Sequence, residues 1–162
     1  MTKTVYLSLG SNVGDRLANL RSAVAALQSL GKTSAVSSIY ETEPVEYTVQ
    51  PWFLNCAMGM QTDLAPHQLM QKALSIEQSM GRLRTQPKGP RIIDIDILLF
   101  GDEQIDSPEL IIPHPSLHKR KFVLEPLAEI ASAVLHPALH KTISQLKAEL
   151  KSNEKVIRLT EQ

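Results

Sequence analysis

The chain has 162 residues, which is enough for one domain whose core needs neither disulfides nor a structural metal. Seventeen basic and seventeen acidic residues cancel, so no overall charge directs the chain to nucleic acid or to an anionic membrane. Cys56 is the only cysteine, which excludes an intramolecular disulfide, and no apolar run is long enough to span a bilayer. We therefore expect a single domain over residues 1–162, located in the cytoplasm, without nucleic-acid or membrane partners.

The N-terminal part of the chain predicts a strand, a helix and a second strand. Apolar residues alternate with others over residues 5–10, which is the period of a half-buried strand. Asp15 can cap the helix that follows, in which apolar residues recur at helical spacing. Residues 33–42 are rich in Ser, Thr, Val and Ile and predict the second strand. Residues 43–52 contain two prolines and no periodicity, and they predict a loop.

The remaining elements complete a strand–helix–strand–strand–helix–strand order. They are a strand at residues 53–62, a helix opened by Pro66, a basic loop at 81–90 and a strand ending at Phe100. Beyond them the sequence predicts turns, an apolar stretch at 121–130 and a last helix at about 142–151. The order is that of the ferredoxin-like βαββαβ core. We predict an α+β fold with an antiparallel sheet, both helices on one face, and a helical C-terminal extension.

Two aspartates in the predicted fourth strand are the strongest functional signal. Asp94 and Asp96 alternate with isoleucines, and residues two apart on a strand share a face at roughly 6–7 Å along the backbone. Two neighbouring carboxylates repel, and a divalent cation between them relieves that repulsion. The pattern predicts a metal-binding pair, and a merely solvated strand edge is the alternative.

The same alternation assigns faces to the third and fourth strands. The positions assigned to the core side are Leu54, Cys56, Met58 and Met60, then Ile93, Ile95, Ile97 and Leu99. Phe53 and Asn55 then share the uncovered face with the two aspartates. An aromatic ring, an amide and two carboxylates on an open face predict a binding surface for a flat polar ligand beside a metal.

Basic side chains near the aspartates predict contacts with an anion, although each has another interpretation. Arg82 and Arg84 follow a helix end and could instead interact with its terminal carbonyls, whereas Arg91 directly precedes the aspartates. His114 lies between two prolines, ahead of the basic run that contains Arg120, and is as compatible with phosphate contact as with a structural role. The glycine-rich turn at residues 8–15 lacks the ending of a P-loop, so a tight turn with a helix cap is favoured over a phosphate cradle.

Seven segments resemble, in order, those of one enzyme family over most of the chain, to about residue 130. They are Leu9–Asp15, Tyr40–Pro44, Phe53–Asn55, Ile76–Arg84, Gly89–Asp96, Pro113–Pro115 and Arg120–Leu127. Each segment alone is a modest signal, but the ordered set is specific. The chain resembles the hydroxymethyldihydropterin pyrophosphokinases of folate biosynthesis.

The resemblance implies a ferredoxin-like fold and transfer of diphosphate from ATP to the hydroxymethyl group of 6-hydroxymethyl-7,8-dihydropterin, with release of AMP. It implies that Asp94 and Asp96 hold two Mg²⁺ ions and act in catalysis together with Arg82 and Arg91. The residues implied in ATP binding are Arg82, Arg84, Arg91, Ile97, His114 and Arg120. The residues implied in pterin binding are Thr42, Val45, Phe53, Asn55 and Phe122. The loops at residues 43–52 and 82–91 would close over the substrates.

Three positions depart from the family pattern, at Lys88, Glu109 and Pro115, and they affect loop closure and one phosphate contact. Two other functions stay open at this point: a non-catalytic ferredoxin-like module for nucleotides or RNA, and a nucleotide-sugar transferase that uses the Asp-x-Asp motif. An RNA-binding sheet would carry several exposed aromatic residues and a basic surface. The chain has only seven Phe, Tyr and Trp residues and zero net charge, which argues against the RNA module. The expected partners are ATP and the pterin, and the expected state is a monomer, with a weak dimer as the alternative.

Overall fold

The structure is a computed structural model and describes residues 2–44, 50–81 and 91–159. Its strands are β1 Lys3–Ser11, β2 Lys32–Val36, β3 Tyr40–Thr42, β4 Phe53–Thr62, β5 Asp94–Phe100, β6 Ile105–Asp106, β7 Ile111–Ile112 and β8 Val156–Arg158. Its helices are α1 Arg16–Leu27, α2 Pro66–Ser79, α3 Lys121–Ala131 and α4 Ile143–Glu149. None of the helices in the described ranges is long and apolar enough to cross a membrane.

The main sheet is antiparallel and has the order β5-β1-β4-β3-β8, with β2 also paired to β4. The predicted α+β class and antiparallel sheet are therefore confirmed. The predicted helix cap is confirmed as well, because a side-chain oxygen of Asp15 accepts a hydrogen bond from the amide of Ala18. Pro66 occupies the start of α2, as its missing N–H allows.

The prediction of one continuous strand over residues 33–42 was wrong, because two strands occupy that segment. Ser37 interrupts the ladder: its amide donates to the carbonyl of Ala57, and its hydroxyl accepts from the amide of the same residue. The carboxylate of Glu129 on α3 accepts hydrogen bonds from both the backbone amide and the hydroxyl of Ser38. Side-chain hydrogen bonds thus compete with the strand ladder at these two serines.

Helices cover both faces of the sheet, which corrects the predicted one-sided arrangement. One core cluster packs α1 and α2 against Ile95 and Ile97 of β5 and against Ile93, which directly precedes that strand. A second cluster packs α3 and α4 against Leu98 and Leu99 of the same strand and against Ala57 of β4. The face predicted to be open is therefore covered by helices along part of its length.

A β-bulge explains why Leu99 lies on the side opposite to its predicted one. Tyr6 pairs with Leu99 and Leu7 pairs with Ile97, so Leu98 is an extra residue in β5. An extra residue breaks the period of two, and Leu98 and Leu99 consequently pack in the same cluster. The C-terminal extension also differs from the prediction, since it adds the strand β8 to the sheet after α4.

Candidate active site

Nine of the thirteen functional residues predicted from the sequence line one cavity of about 200 Å³. Its lining residues are Thr42, Glu43, Pro44, Gln50, Phe53, Asn55, Arg91, Asp94, Asp96, His114, Arg120 and Phe122. They come from β3, β4, β5, the start of α3 and the connecting segments beside these elements, which are far apart in sequence. Val45, Arg82, Arg84 and Lys88 lie outside the described residues, as do the rest of residues 45–49 and 82–90 in the two loops predicted to close over the substrates.

The cavity lies where helical cover of the sheet stops. Along β4, Ala57 packs beneath α3, whereas Phe53 and Asn55 line the cavity. Along β5, Leu98 packs beneath α3, whereas Asp94 and Asp96 line the cavity. Because side chains two apart share a face, each strand carries polar groups into the cavity at one end and an apolar group into the core at the other.

The two aspartates project from β5, which pairs with β1 through Ser8 opposite Asp96 and Gly10 opposite Asp94. A Cβ at Gly10 would lie 2.6 Å from Nδ2 of Asn55, so any larger residue there would displace the side chain of Asn55. Behind the aspartates, the buried carboxylate of Glu77 on α2 accepts a hydrogen bond of 2.7 Å from the amide of Ile95. This bond satisfies a backbone donor of β5 and anchors the strand to α2.

One wall of the cavity presents an ordered set of polar groups. The hydroxyl of Thr42 donates to Oδ1 of Asn55, and Nδ2 of Asn55 donates to the carbonyl of Leu9 at 3.3 Å. Thr42 pairs with Phe53 across the β3–β4 ladder, so the ring of Phe53 lies beside this polar pair. Buried polar groups held in this way can read the hydrogen-bonding edge of a ligand.

Two guanidinium groups lie over the two aromatic rings of the cavity. Arg91 lies 5.7 Å from the ring centre of Phe53, and Arg120 lies 5.6 Å from that of Phe122. Arg91 is also 3.7 Å from a carboxylate oxygen of Asp94. Arg91 therefore places positive charge between an aromatic ring and a carboxylate, and Arg120 adds positive charge at the second ring.

His114 is a neutral hydrogen-bond donor at the edge of the cavity. Its Nδ1 accepts from the amide of Ser116 at 3.1 Å, which leaves the proton on Nε2. Burial lowers the pKa of His114 below its ordinary value, and the positive charge of Arg120 lowers it further, while Asp94 acts in the opposite direction. A neutral imidazole at pH 7 can donate from Nε2 to an anionic ligand.

A second cavity of about 550 Å³ adjoins the first and shares Asp94, Asp96 and His114 with it. Ile97, Glu109 and Pro115 line this second cavity, together with residues of α2. The aspartates therefore stand between two spaces, and a ligand in each space could approach them from opposite sides.

Asn12 is a residue at this site that the sequence reasoning did not single out. It is 1% exposed, and its Oδ1 accepts from the amide of Arg91 at 2.7 Å. The backbone amide of Asn12 donates to the carbonyl of Arg91 at 3.0 Å. Its side-chain Nδ2 donates to Oε1 of Gln50 and to the carbonyl of Pro51. The Leu9–Asp15 motif contained the signal, but the interpretation of that segment as a turn did not assign a role to Asn12.

The residues present fit a magnesium ion carried by a phosphate substrate. In the described ranges, no group of three or more His, Cys, Asp or Glu side chains is arranged to hold a metal. Asp94 and Asp96 are two half-buried carboxylates in one cavity. Mg²⁺ prefers oxygen ligands and commonly binds through one or two carboxylates together with substrate phosphates and water.

Comparison with known proteins identifies the family of the chain. The family described as 7,8-dihydro-6-hydroxymethylpterin-pyrophosphokinase (HPPK) matches residues 6–132. The chain is 48% identical over 136 residues to the 2-amino-4-hydroxy-6-hydroxymethyldihydropteridine pyrophosphokinase of Bacillus subtilis, covering 83% of this chain and 81% of the relative. It is 41% identical over 146 residues to the enzyme of the same description from Aquifex aeolicus, covering 90% of this chain and 91% of that one.

A solved structure shows the same fold. The Plasmodium falciparum HPPK-DHPS crystallised with pteroate matches 92% of this chain with a TM-score of 0.74 and 20% sequence identity. The chain spans 42% of that longer protein. The family match over most of the chain, the identity with full-length relatives and the shared fold lead to one conclusion: this chain belongs to the 7,8-dihydro-6-hydroxymethylpterin-pyrophosphokinase family.

Proposed function

We propose that this protein transfers the diphosphate group of ATP to the hydroxymethyl group of 6-hydroxymethyl-7,8-dihydropterin and releases AMP. The observation that carries the proposal is the pair Asp94 and Asp96 between two adjoining cavities. The smaller cavity has the aromatic and amide lining that a pterin requires, and the larger one has room for a nucleotide. Membership of the pyrophosphokinase family supports the same reaction.

In this proposal the smaller cavity binds the pterin. Phe53 and Phe122 contact the faces of the ring, while Asn55, Thr42 and the backbone near Val45 bind its polar edge. The support is the fixed orientation of Asn55, which the hydrogen bonds with Thr42 and Leu9 hold in one amide rotamer. A site with its polar groups held in advance loses little entropy when the ligand binds.

The basic residues bind the triphosphate of ATP. Arg91, Arg120 and His114 donate to phosphate oxygens from different sides of the aspartates, and Ile97 packs against the nucleotide in the second cavity. We also assign Arg82 and Arg84 to binding the triphosphate, because of their positions in the family motif. Charge neutralisation and in-line positioning account for most of the catalysis of phosphoryl transfer, so Arg91 and Arg82 count as catalytic.

Asp94 and Asp96 would hold magnesium, and we propose two ions. Bound there, Mg²⁺ would neutralise phosphate charge and increase the acidity of the attacking hydroxyl group. The protein contributes a rigid strand that keeps the two carboxylates on one face, and it contributes the arginines that surround them. The wall residues orient the pterin so that its hydroxymethyl group faces the aspartates.

We further assign the core to the ferredoxin-like class and the whole chain, residues 1–162, to one domain. The sheet order supports the class, because a βαββαβ chain arranged with its last strand beside its first gives β5-β1-β4-β3. Cytoplasmic location and a monomeric state remain predictions from the sequence. The family match supports neither the RNA-binding module nor the sugar transferase.

The test is formation of AMP from ATP by the purified protein with 6-hydroxymethyl-7,8-dihydropterin and Mg²⁺. Asp94→Asn and Asp96→Asn should each lower kcat/KM by at least about a hundredfold, because each removes a carboxylate that would hold the magnesium needed to neutralise phosphate charge in the transition state. Thermal unfolding should stay near that of the wild type, since both side chains are half-buried at the cavity. Asp102→Asn, in the turn after β5, is the matched control. Absence of AMP with the wild-type protein would refute the proposed function.

A further inference from the structure

The residues beyond the part of the chain that matches the family contain a segment which contacts the proposed pterin cavity from behind. The family match ends at residue 132. Residues 152–158, which we call the C-terminal strap, include β8 and pass behind two walls of the cavity. One wall is the β3–β4 ladder with Thr42, and the other is the start of α3 with Phe122.

The strap is hydrogen-bonded to the first wall through two consecutive residues. Val156 pairs with Thr42 in the β3–β8 ladder. The amide of Lys155 donates to Oε1 of Glu43 at 2.9 Å, and the amide of Glu43 donates back to the carbonyl of Lys155 at 3.1 Å. Thr42 and Glu43 both line the cavity, so the strap holds the backbone of that wall directly.

The strap contacts the second wall through the preceding residue. Helix α3 has no side-chain cap of its own at Arg120. The carboxylate of Glu154 accepts from the amide of Lys121 at 3.1 Å, so it satisfies one of the donors that a helix start leaves unpaired. The hydroxyl of Ser152 donates to the same carboxylate oxygen at 2.7 Å and orients it.

We propose that Glu154 is a positioning residue for the pterin. Residues 154, 155 and 156 connect the start of α3 to the β3–β4 ladder, so they set the separation between Phe122 and the Thr42–Asn55 pair. The inference rests on the proposed function, because it assumes that the pterin lies between these two walls.

Arg120 adjoins the Lys121 amide that Glu154 holds, but the other two phosphate-binding residues in the described ranges are held by parts of the chain outside the strap. The imidazole of His114 is oriented by the amide of Ser116, and the backbone of Arg91 is held by Asn12. Loosening the strap leaves these hydrogen bonds intact, so it weakens pterin binding more than ATP binding.

The experiment compares Glu154→Ala with the wild-type protein in steady-state kinetics and in direct pterin binding by fluorescence without ATP. Loss of a charge-assisted hydrogen bond should raise the KM for the pterin and its dissociation constant about tenfold. The KM for ATP and kcat at saturating pterin should change less than about twofold by the same reasoning. Glu154→Gln keeps an acceptor for the Lys121 amide and should recover most of the affinity.

The matched control is Glu149→Ala at the end of α4, which removes an exposed ion pair with Lys141 and contacts neither wall. It should leave both KM values unchanged. Ser152→Ala is a milder second variant that removes only the hydroxyl group orienting Glu154. It should weaken pterin binding by about threefold, and it tests the inference if Glu154→Ala does not fold.

The outcomes separate the two proposals. If Glu154→Ala and Ser152→Ala bind the pterin as tightly as the wild type, the positioning role is refuted while the proposed function stands. Equal increases in both KM values, or a fall in kcat alone, also refute it. If the wild-type protein forms no AMP, the proposed function fails and the positioning role fails with it.

Discussion

Asn12 is the residue through which the two segments flanking the cavity are joined. Its side chain is hydrogen-bonded to Gln50 and Pro51 on one side and to the amide of Arg91 on the other. Both Gln50 and Arg91 line the cavity. A buried amide that uses its donor and its acceptor on different segments keeps those segments in one relative position.

Asn12→Ala should therefore lower stability and activity together. It leaves the amide of Arg91 and the carbonyl of Pro51 without their present partner, which costs about 1–3 kcal/mol of unfolding free energy. Because the backbone of Arg91 loses its hydrogen bond to the side chain of residue 12 and keeps the one from the backbone amide of that residue, kcat/KM should fall about tenfold or more. Urea unfolding and AMP formation measure the two effects.

Asn19→Ala is the matched control for Asn12. Asn19 donates to Ser11 and Val13 in the same turn but contacts neither flanking segment. The Asn19→Ala variant should have a lower free energy of unfolding without a lower kcat/KM. A similar kinetic effect in both variants would contradict the role assigned to Asn12.

At the scale of single residues, alternation along the strands was a reliable guide to the site. It predicted that Phe53 and Asn55 share a face with Asp94 and Asp96, and all four line one cavity. The predicted roles of these residues remain proposals. Asn12 was missed because its importance comes from partners 38 or more residues away, which local pattern cannot reveal.

At the scale of elements, β5 depends on α2 as well as on its neighbouring strand. It is a terminal strand of the sheet order, and the amide of Ile95, between the two aspartates, donates to the buried Glu77. The carboxylate of Glu77 thus accepts the hydrogen bond from the Ile95 amide that a further strand would otherwise accept. The position of the aspartate pair is in this way fixed by a helix on the opposite face.

Glu77→Leu should weaken the attachment of β5 to α2. The amide of Ile95 would be buried without a partner, at a cost of about 1–3 kcal/mol in the free energy of unfolding. Glu77→Gln retains an acceptor oxygen and should lose less. Gln78→Leu, at the exposed neighbouring position, should change stability by less than about 0.5 kcal/mol. Chemical unfolding of the three variants checks the order, and equal stability of Glu77→Leu and Gln78→Leu would contradict it.

The elements that the sequence predicted correctly are those with an unbroken period. The strand at Phe53–Thr62 and the helix from Pro66 have their predicted limits or start, because a regular apolar pattern reflects one continuous buried face. The break at Ser37 and the bulge at Leu98 depend instead on partners in β4, α3 and β1. Residue propensity and hydrophobic period depend on the local sequence, so they do not reflect those distant contacts.

For the whole molecule, the second helical layer was the main feature that the sequence did not predict. Ala57 and Leu98 are apolar residues on the face that was predicted to be open, and they were the available signal for it. The layer has a functional consequence, because its edge defines the cavity in which the site residues lie. The polar ends of β4 and β5 remain beyond that edge.

Acid should destabilise the whole fold through a buried histidine in the segment that joins α3 to α4. His136 is 4% exposed, and its Nδ1 accepts from the amides of Ala138 and Leu139 at 3.2 and 3.1 Å. Burial lowers the pKa of His136, and nearby His118 lowers it further. The unfolded chain therefore binds a proton at higher pH than the folded protein, so stability is retained above about pH 6.5 and falls below it.

Urea unfolding at pH 7.5 and at pH 5.5 tests this linkage. The wild-type free energy of unfolding should be lower at pH 5.5, and His136→Asn should show a smaller drop, because the amide oxygen of asparagine accepts hydrogen bonds but does not titrate. His67→Asn removes an exposed histidine at the start of α2 and should keep the full drop. His114, whose pKa is also lowered by burial, should maintain part of the drop in His136→Asn. The same drop in His136→Asn as in the wild type would show that another group carries the acid sensitivity.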